Sequence, residues 1–216
     1  LSHDIRTPLA SLTGYLEALA KGKEIKSEEY IKIAYRKVWD LKELADVLFE
    51  WFRIQAKEQM YQKEWYDMNE LTREIIIEFL PFIEKDKISL ETEFSEEEWF
   101  FKIDRLAYKR MIRNLISNAI SHGRCHLIRM EIQKKEENIL LSIFDDGEGI
   151  SADRILLIFE RLYRCDMDQS GGGNGLGLAI VKELVIRMNG RIWVESSVGY
   201  GTTFYLEFPI GNVRKK

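Results

Sequence analysis

Cysteine is nearly absent: Cys125 and Cys165 are the only two in 216 residues, and they make no metal or redox spacing. Two lone thiols suit a reducing compartment. An excess of positive charge is also missing. The formal net charge of −4 argues against a nucleic-acid binder, and Arg214-Lys215-Lys216 is too short a basic tail to change that. No run approaches the ~18 apolar residues of a membrane span and no signal peptide stands at the front, so no membrane contact is expected within this stretch. Internal repeats and low-complexity segments are absent. So is a start methionine: Leu1 opens inside a helical pattern, which reads as a piece of a longer protein.

What is present is material for a core. Apolar residues make up 45% of the chain, enough for one large domain or two ordinary ones. Ile5, Leu9, Leu12, Leu16 and Leu19 step by threes and fours. After the polar break at 21–24, Ser27 is a natural N-cap, and Ile31, Ala34, Val38, Leu41, Ala45, Leu48 and Phe52 keep the same spacing. This is a heptad seam and predicts a helical hairpin or coiled coil over residues 1–62. Two helices alone make a thin core, and a homodimer paired into a four-helix bundle would bury both seams.

From about Tyr66 the pattern changes. The spacing predicts a helix over 71–83 stopped near Pro81, and short strands at 89–94 and 99–103. A helix over 104–121 capped by Asp104 comes next, then strands at 127–133 and 139–144. A helix over 152–163, a polar glycine-rich loop and a helix over 176–188 ended by Asn189-Gly190 follow, then strands at 191–196 and 203–208. Antiparallel strands mixed with helices predict an α+β two-layer sandwich over 66–216.

The opening block, Ser2-His3-Asp4-Ile5-Arg6-Thr7-Pro8-Leu9, carries chemistry. On a helix His3 and Thr7 share a face and Asp4 sits about 100° round the axis. His3 falls outside the Ile5/Leu9/Leu12 seam and should face solvent. The block offers a nucleophile, a neighbouring base and a hydroxyl able to place water. Pro8 lacks an N–H and frees a carbonyl of the preceding turn, a place for a bend.

Gly171-Gly172-Gly173-Asn174-Gly175-Leu176-Gly177-Leu178 would let backbone N–H groups approach phosphates ahead of a helix N-terminus. It fits neither the dinucleotide fingerprint nor the Walker loop, and alone it equally describes a flexible surface loop. Asp145-Asp146-Gly147-Glu148-Gly149-Ile150 follows a strongly apolar strand. Asp145 can accept from an adenine amino group, and Gly147 and Gly149 let a base come close; alone this is an acidic turn. Asn114 and Asn118, one helical turn apart, offer amide oxygens suited to Mg²⁺ beside phosphates, or simply a polar helix face. Arg161 and Arg164 can bind phosphate or merely end a helix. Gly199-Tyr200-Gly201-Thr202-Thr203-Phe204 is by itself a hairpin turn.

Taken in order, these blocks resemble the catalytic core of bacterial two-component sensor histidine kinases. His3 to Leu9 resembles the phosphoacceptor H box, Asn114 to Ala119 the N box and Asp145 to Ile150 the G1 box. Ile158 to Arg164 resembles the F box, Gly173 to Leu178 the G2 box, and Gly199 to Phe204, with Thr202, the G3 region. The resemblance covers nearly the whole chain. It implies a dimerising phosphotransfer hairpin, 1–62, followed by an ATP-binding sandwich of the gyrase type, 66–216. ATP would lie among the N, G1, F and G2 blocks, with Asp145 on the adenine amine and Gly147, Gly149 and Ile150 lining the base. Asn118 would ligate Mg²⁺ with Asn114 as helper. Arg161 and Arg164 would steady the phosphates, and Gly173, Gly175, Leu176, Gly177 and Leu178 would shape the lid.

The resemblance further implies transfer of the γ-phosphoryl group to His3, with Asp4 as base, and onward transfer to the receiver domain of a response regulator. Thr7 would serve the reverse, phosphatase, job. The parent protein would be anchored in the bacterial membrane with this part in the cytoplasm. There are departures. Ser121-His122 stands where many members have Lys followed by an aromatic, so a phosphate-binding lysine is lost and an imidazole replaces an adenine-stacking ring. Asp146 replaces the usual Asn of G1, and Asn174 the usual Thr or Ser of G2. Two rivals stay open: a gyrase-type or chaperone-type ATPase, and a degenerate, non-catalytic dimeric scaffold.

Overall fold

The computed structural model describes residues 2–21, 29–35, 38, 41, 45, 61–123, 125–161, 163 and 175–211, with the backbone alone at 2–8 and 122–123. The chain divides into two compact units, Leu1–Gln59 and Met60–Lys216.

In the first unit α1 runs over Ser2–Ala20, and its backbone stays helical through Pro8. Helical backbone resumes at 29–35. The rings of Tyr15 and Tyr30 meet at 5.4 Å between centroids, joining the two stretches. Of the expected seam, Ala34 is buried, whereas Leu9, Leu16, Ile31 and Val38 are about half exposed. The Ser27 cap, Leu48 and Phe52 lie outside the described residues.

The second unit begins with β1, Lys63–Asp67, a strand its non-alternating sequence did not announce. It pairs antiparallel with β3, Phe100–Asp104, from Lys63↔Asp104 to Asp67↔Phe100. Asp67 then caps α2, Met68–Ile77: one carboxylate oxygen accepts from the Glu70 N–H, and the other holds the Trp99 N–H at 2.9 Å. The expected single helix stopped at Pro81 is corrected here. The helix ends at Ile77, and a new one, α3 (Leu80–Lys85), starts with Pro81 in its first turn. A first-turn N–H has no intrahelical partner, so proline loses nothing there. The next helix, α4 (Arg105–Asn118), is capped as expected by Asp104, which accepts from the Ala107 N–H at 2.9 Å. It widens into a π-turn over Ala119–Gly123.

Five strands make the main sheet: β2 (Ser89–Glu93), β4 (Leu127–Lys135), β5 (Asn138–Asp145), β6 (Arg191–Ser197) and β7 (Gly201–Pro209). Their order is β2-β4-β5-β7-β6. Three pairs are antiparallel, and β2 lies parallel to β4, a pairing the sequence reading did not specify within the expected α+β sandwich. The expected helix over 152–163 is also corrected. α5 covers only Ala152–Ile155, after which Leu157 and Glu160 donate to carbonyls three residues back. Five successive apolar residues, 155–159, cannot share one helix face. The tighter turns bury Ile158 and leave Leu156 and Leu157 outside. Last comes α6, Gly177–Arg187. Asn189, at φ 61, takes the left-handed position, and Gly190 donates back to Val185 O at 2.9 Å, a Schellman end.

The helices cover one face of the sheet. Ile128, Met130 and Ile132 of β4, Leu141 and Ile143 of β5, and Phe204, Leu206 and Phe208 of β7 point inward and are buried. Tyr108 of α4 packs edge-on against Phe101 and Phe208, at 5.2 and 6.2 Å between centroids. Its hydroxyl is satisfied by Thr72 of α2 at 2.7 Å. Residues such as Arg129, Glu131 and Tyr205 alternate to the outer face, the pattern of a half-covered sheet.

Candidate functional site

Strand pairing assembles a polar row at one end of an otherwise apolar face. β5 and β7 set Asp145 opposite Thr202, and β6 sets Ser196 opposite the same threonine. Directly opposed residues of antiparallel strands share a face, so the three side chains line up on the helix-covered side. Asp145 and Thr202 are each 5% exposed. Burial pushes the Asp145 carboxyl up to about 6; the Gly147 N–H, donating at 3.1 Å, pulls the other way, and Asp146 adds a smaller push. The row therefore holds a carboxylate short of hydrogen bonds and able to accept from a ligand amine.

The loop after Asp145 is fastened at several points. Glu148 O accepts from the Gly199 N–H at 2.8 Å, and the Ile150 N–H donates to Ser196 Oγ at 2.7 Å. Gly149 sits at φ +72, where a Cβ would lie 2.1 Å from Ser197 O. Gly201 sits at φ +94, where a Cβ would lie 2.0 Å from Asp145 O. Only glycine permits these backbone approaches. Asp146 does a separate job: one of its oxygens accepts from the His126 and Leu127 N–H groups at 2.7 and 2.8 Å, fixing the start of β4. Desolvation pushes this carboxyl up, but the donated N–H bonds outweigh it and hold it below its usual range. An asparagine Oδ1 could accept the same two bonds, so the departure at this position keeps the geometry.

Asn114 and Asn118 are half-buried on one shoulder of α4. Asn114 Nδ2 donates to Gly177 O at 3.2 Å, tying α4 to the first turn of α6. Gly175 and Leu176 lead into that turn; Leu176 is buried, while Gly177 and Leu178 are half-buried. Phe159 packs edge-on against Phe204 at 6.4 Å, with Lys182 Nζ 5.9 Å from its ring centre. Arg161 is exposed.

Asp145, Gly147, Gly149, Ile150 and Thr202 are thus brought together, as are Asn114 and Gly177. Arg164 and Gly173 lie outside the described residues, as do the side chains of His3, Asp4, Thr7 and His122. Sequence reasoning passed over Ser196. Its signal was available in β6, where Ile192, Val194 and Ser196 alternate onto the inner face and only the last is polar.

Residues 103–212 match the family of histidine kinase-, DNA gyrase B- and HSP90-like ATPases, and residues 1–57 match the His Kinase A phospho-acceptor domain. Sensor histidine kinase WalK of Bacillus subtilis is 28% identical over 97% of this chain, and sensor protein EvgS of Escherichia coli K12 is 30% identical over 97%. The chain spans 35% of the length of WalK and 18% of that of EvgS. Among solved structures, Acinetobacter baumannii histidine kinase AdeS superposes with a TM-score of 0.77 at 21% identity, over 97% of this chain and 98% of that one. Histidine kinase ThkA, solved in complex with response regulator protein TrrA, does so with a TM-score of 0.76 at 24% identity, over 96% and 59%. At those identities the superpositions establish the fold. Sheet order, row and sequence matches converge: the chain belongs to the histidine kinase-, DNA gyrase B- and HSP90-like ATPase family, with a match to the His Kinase A phospho-acceptor domain ahead of the ATPase, and is similar to the catalytic cores of sensor histidine kinases.

Proposed function

We propose that the chain transfers the γ-phosphoryl group of ATP to a ring nitrogen of His3 and then to an aspartate of a response-regulator receiver domain. The observation that carries this is the buried acceptor row, Asp145 beside Thr202, in the same chain as a helix bearing His3 next to Asp4. Asp145 accepts from the adenine amine, and the tight backbone at Gly147, Gly149 and Ile150 lets the base lie against it. Arg161, Arg164 and the 173–178 segment close on the phosphates, with His122 beside the base. In the first step the bond from the γ-phosphorus to the β–γ bridging oxygen breaks, a P–N bond forms at His3, and ADP leaves. Asp4 takes the displaced ring proton. In the second step the P–N bond breaks and the phosphoryl group moves to the partner's carboxylate.

The donor set at Asn118 is an amide oxygen, which suits a Mg²⁺ that keeps several waters and arrives on phosphates. Such an ion, when bound, neutralises phosphate charge; Asn118 would hold it, with Asn114 anchoring the neighbouring turn. Thr7 serves the reverse activity by placing the water that attacks the partner's acyl phosphate. Residues 1–62 form the dimerising hairpin and 66–216 the ATP-binding domain. The half-exposed Leu9, Leu16, Ile31 and Val38 support a homodimer, since a second copy would cover them. The ThkA–TrrA complex supports a response-regulator partner. Among the described residues no helix is long and apolar enough to cross a membrane. The sensor names of the longer relatives support a parent anchored in the bacterial membrane, with this part in the cytoplasm.

Incubation of the chain with γ-labelled ATP and Mg²⁺ tests the reading. Acid-labile, base-stable label on the protein that vanishes in His3→Ala is expected. Free phosphate without protein label would instead favour a gyrase-type ATPase, and no nucleotide binding by calorimetry would favour the scaffold.

A further inference from the structure

Ser196 belongs to none of the blocks that carry the nucleotide-binding assignment, yet its oxygen is the best-connected side-chain atom of the row. Three groups surround Oγ: the Ile150 N–H at 2.7 Å, Gly201 O at 2.8 Å and Thr202 Oγ1 at 2.9 Å. A serine hydroxyl has one proton and two lone pairs. The Ile150 amide can only donate and the Gly201 carbonyl can only accept. The Ser196 proton therefore goes to Gly201 O, and one lone pair takes the Ile150 N–H. The remaining lone pair is left for the Thr202 hydroxyl, which must donate. Every valence of Ser196 is then filled.

This arrangement has a consequence one residue along the row. With its proton committed to Ser196, Thr202 Oγ1 presents only lone pairs to whatever lies above it. Its opposite neighbour Asp145 is likewise an acceptor, one oxygen already taking the Gly147 N–H. The row offers two adjacent acceptors and no donor. Such a floor favours a purine edge carrying an exocyclic amine over one carrying a carbonyl oxygen in that place. We propose that Ser196 is a positioning residue that orients the Thr202 hydroxyl and holds the Ile150 loop, and so sets the preference of this site for a 6-amino purine. The inference rests on the ATP reading above.

Calorimetry with the 216-residue chain, Mg²⁺ and two probes, ADP and inosine diphosphate, separates the possibilities. The probes differ at the amine and the adjoining ring nitrogen. Ser196→Ala frees the Thr202 proton and orphans the Ile150 N–H. We expect it to weaken ADP about tenfold while inosine diphosphate changes by less than about twofold, so that discrimination collapses. Ser196→Thr, which keeps the hydroxyl, should restore it. Equal weakening of both probes in Ser196→Ala, or no change in either, overturns the proposal.

Should Ser196→Ala fail to fold, Thr202→Val decides. It leaves the Ser196 bonds to Ile150 and Gly201 but removes the oriented hydroxyl, and it should lower discrimination by a similar factor; undiminished discrimination overturns the proposal. A wild-type chain that binds neither probe would overturn the ATP reading itself, a result distinct from wild-type binding with unaltered variants.

Discussion

The two units place their large apolar residues differently. In the second, Phe101, Tyr108 and Phe208 interlock beneath the sheet, and the inward side chains of β4, β5 and β7 are almost wholly buried. In the first, the seam residues Leu9, Leu16, Ile31 and Val38 keep about half their surface open. A sandwich can hide one face of every element inside a single chain, whereas two helices cannot. Stability of the second unit should therefore depend on its own core, and that of the first on a second copy.

Three substitutions or conditions put that contrast under strain. The largest effect is expected from Phe208→Ala, which empties the centre of the aromatic cluster and should destabilise the second unit by about 3–5 kcal/mol. Denaturant unfolding would measure it, and a loss below about 1 kcal/mol would mean that the cluster is not the keystone the packing suggests. Next comes Leu16→Asp. A carboxylate buried in the seam of the proposed dimer should raise its dissociation constant by about a hundredfold while leaving ADP affinity as it was. Sedimentation over a concentration series reads this directly, and an unchanged dimer would move the interface elsewhere.

The smallest effect concerns pH within the second unit. Burial raises the folded-state pKa of Asp145 to about 6, above the roughly 3.9 of an unfolded aspartate. The protonated form is thus favoured by folding. Its stabilisation is full below about pH 4 and is lost as pH rises through about 6. Relative to Asp145→Asn, the nucleotide-free protein should gain on the order of 2 kcal/mol between pH 7 and pH 4. Adenine binding should run the other way and weaken below about pH 6, as the carboxylate loses its charge. Parallel pH profiles for the two proteins, in both melting and binding, would refute the assignment.

Local chemistry was the legible part of this chain. Asp104 declares itself as a cap because its bond to the Ala107 N–H needs only three residues of context. Asp145 stood out as an acidic residue ending an apolar strand. What escaped was set by partners distant in sequence. β1 has no alternation to reveal it and exists because Lys63 to Asp67 find Phe100 to Asp104. The parallel placement of β2 depends on which edge of β4 is open, and no residue within Ser89–Glu93 encodes that. Pro81 was ambiguous because proline both ends helices and begins them. Ser196 is an ordinary strand serine until pairing sets it beside Thr202. The Asn114 bond to Gly177 O likewise joins residues sixty-three positions apart.

Gly211 closes the described chain against the two-stranded ribbon of β1 and β3. Its N–H donates to Phe100 O at 2.9 Å, and a Cβ on it would run into the ring of Trp65. The last described residue of the second unit is thus seated on the ribbon that contains its first strand. The partners Asn138↔Pro209 mark this end of β5 and β7, and Asp145↔Thr202 mark the other. Seven residue steps separate them, about 23 Å at roughly 3.3 Å per step. Gly211 thus lies toward one end of these strands, and the Asp145–Thr202 row, the proposed seat of the base, lies at the other.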